Sequence, residues 1–198
     1  MQATDLKLAN LDRYFITPGF CSSSEKKYLE RINDIILSGV SIVQFRSKNT
    51  KYKENARLSK KIHDICKDHN INLLINSSMS PDNNFSYDGI HLTTEGLYKT
   101  DNSMLKEDKI YIASCHNKEE ISVANTLTID AIVLSPVIKK GKAQALGWDN
   151  FNNLCKFSRH PVYALGGLNY KDHIELTKEN GGIGIAAISY FWEKKNYE

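Results

Sequence analysis

Within PVYALGGLNYKDHIELTKENGGIGIAAISYFW, Pro161 to Trp192, two short apolar runs flank one helical pattern, and this arrangement limits the fold more than any other feature of the chain. The runs are Val162 to Leu165 and Gly184 to Ile188. Continuous apolar runs of this length, joined by a helix, predict strands of a βαβ unit buried on both faces. Gly166-Gly167 follows the first run directly. Without a Cβ, glycine lets backbone N–H groups turn toward a ligand and approach it closely. The second run leads into Ser189 and an expected helix start at Tyr190, where free N–H groups favour an anion. As the last two strands of a βα barrel, these runs would form the usual seat of a phosphate group. Alone, the glycine pair reads equally well as a shaped turn; the second run tips it toward an anion cradle.

The same alternation recurs upstream. Strands are expected at Arg13–Thr17, Ser41–Phe45, NLLIN ending at Asn76, Gly89–Leu92, Ile110–Ser114 and Ala131–Leu134. A helix begins at Ser24, with Leu29, Ile32, Ile35 and Ile36 as its stripe, and stops at Gly39. A longer helix covers roughly 52–70, with Ala56, Ile62 and Ile65 apolar. The loop SSMSPDNNFSYD leaves little room for a full helix, and only a short turn is expected near Gly96–Lys99. Asn117 with Glu119-Glu120 is capping-box-like, and a further helix starts near Trp148. The expected fold is α/β: a single compact (β/α)8 TIM barrel over 1–198, with some short or missing helices and residues 1–12 as a polar lead-in. The rival is an open doubly wound sheet, disfavoured because no G-x-G-x-x-G follows a strand.

Composition excludes several classes. A net charge of +3 with no basic block among aromatics argues against nucleic acid. No run of about 18 apolar residues is present, so no bilayer span is expected. The first residues lack the basic and apolar halves of a signal peptide, and Cys21, Cys66, Cys115 and Cys155 are scattered singly. A cytoplasmic, reduced protein without cysteine-bound metal is expected.

In a barrel the C-terminal strand ends share one face. Those ends deliver Thr17, Gln44, Arg46, Lys48, Asn76, His91, Ser114 with His116, Ser135, and the glycines and serine of the last two strands. Arg suits bidentate phosphate recognition and Lys adds a point charge. Lys139, Lys140 and Lys142 follow in the next loop, where solvated charges are the plainer reading of the run by itself. The collection suits a substrate with phosphate groups at two places. His116, at a strand end, is the candidate proton shuttle, weighed evenly against a bystander role. His91 reads as a packed core histidine, Cys115 as pointing into packing, and His63, His69, His160 and His173 as surface residues.

The series YFITP, GVSIVQFRSK, LLIN, DGIHL, IYIASCH, VLSPV, LGW, PVYALGGL and GIAAISYFW resembles the thiamine phosphate synthase and thiazole tautomerase (TenI) superfamily, in order and over nearly the whole chain. ASCH, LSPV, LGW and PVYALGGL are most like the synthase-like domain fused behind a MutT-type Nudix hydrolase, although no Nudix signature is present here. The resemblance implies a (β/α)8 barrel and, for the synthase, joining of hydroxymethylpyrimidine diphosphate to thiazole phosphate, with Mg²⁺ assisting loss of pyrophosphate. It implies pyrophosphate or substrate contacts for Gln44, Arg46, Lys48, Asn76 and Ser114, with Lys140 and Lys142 in the loop that normally supplies hydroxyls. It implies a thiazole phosphate cradle at Gly166, Gly167, Ile188 and Ser189, and a proton-moving role for His116 as in the tautomerase branch.

Two family carboxylates are absent: the first magnesium Asp is Ser77, and the second falls on Gly96 beside Glu95. Serine and glycine do not replace anionic oxygens on a hard cation. Mg²⁺ is therefore expected only if synthase activity is retained, with Glu95 as the substitute ligand. Three functions stay open: a metal-independent, tautomerase-like or salvage activity on a phosphorylated precursor, the synthase reaction with a rebuilt metal site, or a non-catalytic binder of thiamine-related phosphates. A homodimer and a separate Nudix hydrolase are the candidate assemblies.

Overall fold

The computed structural model describes residues 11–21, 24–47, 50–138 and 144–193. Its centre is a closed barrel of eight parallel strands in sequence order: β1 Arg13–Ile16, β2 Ile42–Phe45, β3 Asn72–Asn76, β4 Gly89–Leu92, β5 Ile110–Cys115, β6 Ala131–Leu134, β7 Val162–Leu165 and β8 Gly184–Ala187. Closure is made by β8 on β1, with Arg13 opposite Ile185 and Phe15 opposite Ala187. The open doubly wound alternative is thereby excluded. Strand positions agree with the apolar runs to within one residue at each end.

Alternation along the strands builds two cores. Tyr14, Ile16, Ile42, Leu74, Ile110, Ile112, Val133 and Tyr163 fill the barrel interior. Phe15, Val43, Phe45, Leu73, Ile75, Tyr111, Ala113 and Cys115 face outward, under the helices. Cys115 thus points into packing, and burial raises its thiol to about 12, which removes it as a nucleophile near neutral pH.

The helices are α1 Glu25–Leu37, α2 Tyr52–Asp68, α3 Thr94–Lys99, α4 Lys118–Ala124, α5 Trp148–Phe157, α6 Tyr170–Glu179 and α7 Ser189–Trp192. α1 starts where Ser24 accepts a hydrogen bond from Lys27 N, and it buries Tyr28, Ile32, Ile35 and Ile36; Leu29 lies at the edge of this stripe, half-buried. After β3 the chain makes only a 3₁₀ turn, Ser77–Met79, before its loop to β4. α7 begins at Ser189, one residue before the expected start. No helix among the described residues is long and apolar enough to cross a membrane.

The four histidines expected on the surface are more enclosed than that. His63 is buried against Asp88, with Nε2 3.0 Å from Oδ1. His160 Nε2 donates to Ala124 O at 2.9 Å. His173 stacks on Trp148, and His69 bonds Asn33 at 3.2 Å. Each imidazole is apolar enough to cover a seam and polar enough to satisfy a neighbour, so helix position alone does not reveal its exposure.

Candidate functional site

A cavity of about 640 Å³ opens at the C-terminal end of β5–β8. Gly166, Gly167, Ile188, Ser189 and His116 all line it, together with Ser135 and Tyr190. The glycine pair is needed there for two reasons. Both residues have positive φ, +102° and +72°, which disfavours a side chain. In addition, a Cβ on Gly166 would lie 2.6 Å from Pro136 Cβ, and one on Gly167 would lie 3.0 Å from Ile138 Cβ. Turn shape and an open cavity wall are therefore satisfied by the same residues. Neither glycine N–H donates to a backbone carbonyl among the described residues, and both glycines face the cavity.

The start of α7 also lines the cavity, and this single turn is fixed from outside the barrel. Arg31 of α1 donates to Trp192 O at 3.1 Å and 2.9 Å and to Phe191 O at 3.2 Å. A cation on the last carbonyls of a helix complements its negative end. Phe15 meets Phe191 edge-on at 6.0 Å and stacks on Trp192 at 6.3 Å. The position of Ser189 thus depends on an arginine about 160 residues earlier, a pairing invisible in the local sequence.

His116 follows β5 directly, with its side chain 44% exposed. One oxygen of the buried Glu120, Oε2, accepts from the His116 backbone N–H at 2.7 Å and from Nδ1 at 2.9 Å. With Nδ1–H bound to a carboxylate, Nε2 carries the lone pair of the neutral ring. Asn117 Oδ1 caps α4 by accepting from Glu120 N at 2.9 Å. The capping-box pattern was readable, but its consequence for His116 was not: the glutamate reaches one residue beyond the cap.

Under the β2–β5 side of the mouth, Gln44, Asn76 and His91 are nearly fully buried. Gln44 Nε2 donates to the Tyr14 hydroxyl at 3.0 Å, and Asn76 Nδ2 donates to Gln44 Oε1 at 3.0 Å. His91 joins Tyr14 at 2.9 Å and Ser114 at 2.7 Å. Burial, aided by the nearby Arg46 charge, lowers His91 to about 3. It is neutral at physiological pH, as a hydrogen-bonded core histidine should be. Arg46 is half-buried at the end of β2, where its backbone N–H donates to Thr17 Oγ1 at 3.1 Å. Lys48, Lys140 and Lys142 lie outside the described residues, as does Lys139.

The two expected metal positions, Ser77 and Gly96, carry no carboxylate. Ser77 Oγ accepts from Thr93 N at 2.9 Å and lies 3.3 Å from Thr93 Oγ1. A Cβ on Gly96 would fall 2.7 Å from that same Ser77 Oγ. The two positions are spatial neighbours, filled by a hydroxyl and by nothing. Glu95 is 77% exposed and paired with Lys99 at 2.6 Å. Among the described residues, no group of three or more His, Cys, Asp or Glu side chains is placed to hold a metal ion.

A closed eight-stranded parallel barrel, with glycine-lined strand ends around a mouth cavity, defines a (β/α)8 TIM barrel. The family model described as thiamine monophosphate synthase (TMP-TENI) matches residues 13–191, and the chain belongs to that family. It is 31% identical over 181 residues to a protein named putative thiamine-phosphate synthase 2 from Aquifex aeolicus, spanning 88% of this chain and 97% of that one. It is 30% identical to a thiamine-phosphate synthase from Methanosarcina barkeri, over 92% of this chain and 83% of that one. Among solved structures, the thiamine phosphate pyrophosphorylase from Pyrococcus furiosus superposes with a TM-score of 0.75 at 20% identity, over 94% of this chain and 90% of that one.

Proposed function

We propose that this barrel binds a phosphorylated thiazole precursor of thiamine and moves a proton on it without the magnesium-dependent coupling step. The carrying observation is that His116 and the four cradle residues line one cavity. The phosphate sits against the N–H groups of Gly166 and Gly167 and the start of the Ile188–Ser189 segment, where aligned amides favour an anion. With Nδ1–H held on Glu120, the neutral His116 ring presents its lone pair at Nε2, which takes a proton from the thiazole ring, and His116⁺ returns it at a neighbouring ring position. Glu120 stabilises the imidazolium between the two transfers. The proton balance closes on the histidine, and the step uses no metal. The occupants of positions 77 and 96 support this reading, because neither supplies an anionic oxygen for Mg²⁺.

Mixing the full chain with the thiazole carboxylate phosphate tautomers and following them by NMR tests the proposal. Isomerisation is expected, and His116→Ala should slow it by roughly 10²–10⁴-fold. Unchanged isomerisation in that variant removes the assigned role. The second reading is the synthase reaction, favoured by the names of the relatives. Gln44, Arg46, Lys48, Asn76, Ser114, Lys140 and Lys142 then hold the diphosphate half-substrate, with Glu95 as the substitute metal ligand. Thiamine phosphate formed from both halves with Mg²⁺, and lost on chelation, would establish it. Ligand binding without turnover, together with co-purification of a Nudix hydrolase, would point instead to the binding partner, and size-exclusion chromatography reads the proposed homodimer. A cytoplasmic location is part of the same proposal.

A further inference from the structure

The hydrogen bonds beneath the mouth form a line whose direction can be read from one end to the other. It begins at a donor that cannot be reversed: the backbone N–H of Ser78 donates to Asn76 Oδ1 at 3.1 Å. This fixes the Asn76 amide, so Nδ2 is the group that donates to Gln44 Oε1 at 3.0 Å. The Gln44 amide is fixed in turn, and Nε2 donates to the Tyr14 oxygen at 3.0 Å. Tyr14 is fully buried, and among the described residues its proton has one remaining neighbour, His91 Nδ1 at 2.9 Å. The opposite tautomer, with a proton on Nδ1, would leave the Tyr14 O–H buried without an acceptor, and an unsatisfied buried donor is costly. A neutral imidazole that accepts at Nδ1 carries its proton at Nε2, and that proton goes to Ser114 Oγ at 2.7 Å. Ser114 therefore enters the line as an acceptor, which frees its own O–H.

We propose that this line sets the Ser114 hydroxyl as a hydrogen-bond donor toward the barrel mouth, with Tyr14 and His91 as positioning residues, so that the site selects a ligand atom bearing a free lone pair. Two neighbouring features support the assignment. Ser114 is inward-facing at the C-terminal end of β5, in step with Ile110 and Ile112 below it, and it is half-buried rather than sealed. The layers beneath the line are apolar, with Ile42, Leu74 and Val133 among them; interior packing here does not itself call for polar side chains. The near-absence of protonation on His91 keeps the line unidirectional over the ordinary pH range. The lone-pair atom is an unprotonated ring nitrogen or a phosphate oxygen. Which precursor presents it rests on the proposed function; the direction of the line does not.

The first readout needs no ligand. Long-range ¹H–¹⁵N spectra of the ¹⁵N-histidine-labelled full chain should show His91 neutral and protonated at Nε2 from about pH 5 to 8. A proton on Nδ1, or titration of His91 within that range, overturns the proposal. The second readout is affinity for three probes: hydroxymethylpyrimidine diphosphate, thiazole phosphate and inorganic pyrophosphate. Ser114→Ala should weaken at least one by about tenfold, the worth of one hydrogen bond, with recovery in Ser114→Thr. A loss shared by pyrophosphate assigns a phosphate oxygen; a loss confined to an organic probe assigns a ring nitrogen. Tyr14→Phe should populate the Nδ1-protonated tautomer and weaken the same probe. Equal affinities in wild type and Ser114→Ala overturn the proposal. Failure of wild type to bind any probe sinks the functional reading instead, and the His91 spectrum still decides the line.

Discussion

The two halves of the barrel mouth are built differently. At β5–β8, a cavity is kept open by glycines at positive φ, a helical turn anchored from outside, and a histidine oriented by a buried glutamate. At β2–β4, the polar groups mostly bond one another: Ser77 is satisfied by Thr93, Gly96 is closed against Ser77, and Gln44 and Asn76 are engaged beneath the surface. A site that holds one phosphate needs amides and space, whereas a site that holds a metal-bound diphosphate needs free carboxylates. The first set is present, and positions 77 and 96 lack the second. The proposed function accordingly places its chemistry in the β5–β8 half.

The largest effect should come from closing that half. Gly166→Val places a β-branched residue at φ +102° with its Cβ 2.6 Å from Pro136. Strain of about 1–3 kcal/mol, plus overpacking of typically about 1–3 kcal/mol, should lower Tm by roughly 5–20 °C, and thiazole phosphate binding should vanish in calorimetry. Retained binding would break the contrast between the halves. Next is Glu120→Gln, which removes the charge that holds His116 Nδ1. Losing a charge-assisted hydrogen bond of about 1.5–3 kcal/mol should slow isomerisation roughly 10–100-fold while leaving thiazole phosphate affinity unchanged. Weakened affinity with an unaltered rate would assign Glu120 to the cradle instead.

The other half is sharpened by rebuilding it. Wild-type Tm should not respond to Mg²⁺. Ser77→Asp combined with Gly96→Asp should gain about 1.4 kcal/mol when Mg²⁺ is ten times its Kd, a rise of roughly 3–5 °C. A comparable rise in wild type would contradict the comparison. The smallest effect lies on the outer surface, where Glu25 pairs with Arg57 and Lys61. These hydrogen bonds lower its carboxyl to about 2. The stabilisation is therefore complete above about pH 4.5 and lost as the pH falls toward 2. The pair is solvent-screened, so Glu25→Gln should cost under about 1 kcal/mol at pH 7, and the difference from wild type should disappear in acid melts.

The fold was legible because period and length carry it: eight apolar runs of four to six residues mark the eight strands. That Gly166, Gly167, Ile188 and Ser189 share one cavity was legible because both pairs follow strands directly. His91 was readable as a core histidine, since it sits inside an apolar strand. The line that gives it direction was not, because Tyr14, Gln44, Asn76 and Ser114 come from four other strand positions and meet only after closure. The contact of Arg31, on α1, with the carbonyls of α7 was hidden for the same reason. Glu120 showed the cap it belongs to, while its contact with His116 depends on how the chain leaves β5.

The most direct measurement is calorimetric titration of thiazole phosphate into the full chain, once in EDTA and once in Mg²⁺. Saturable binding with the same affinity in both is the expected result. Binding that requires Mg²⁺, or no binding in either condition, would contradict a mouth that keeps its phosphate cradle and works without a metal.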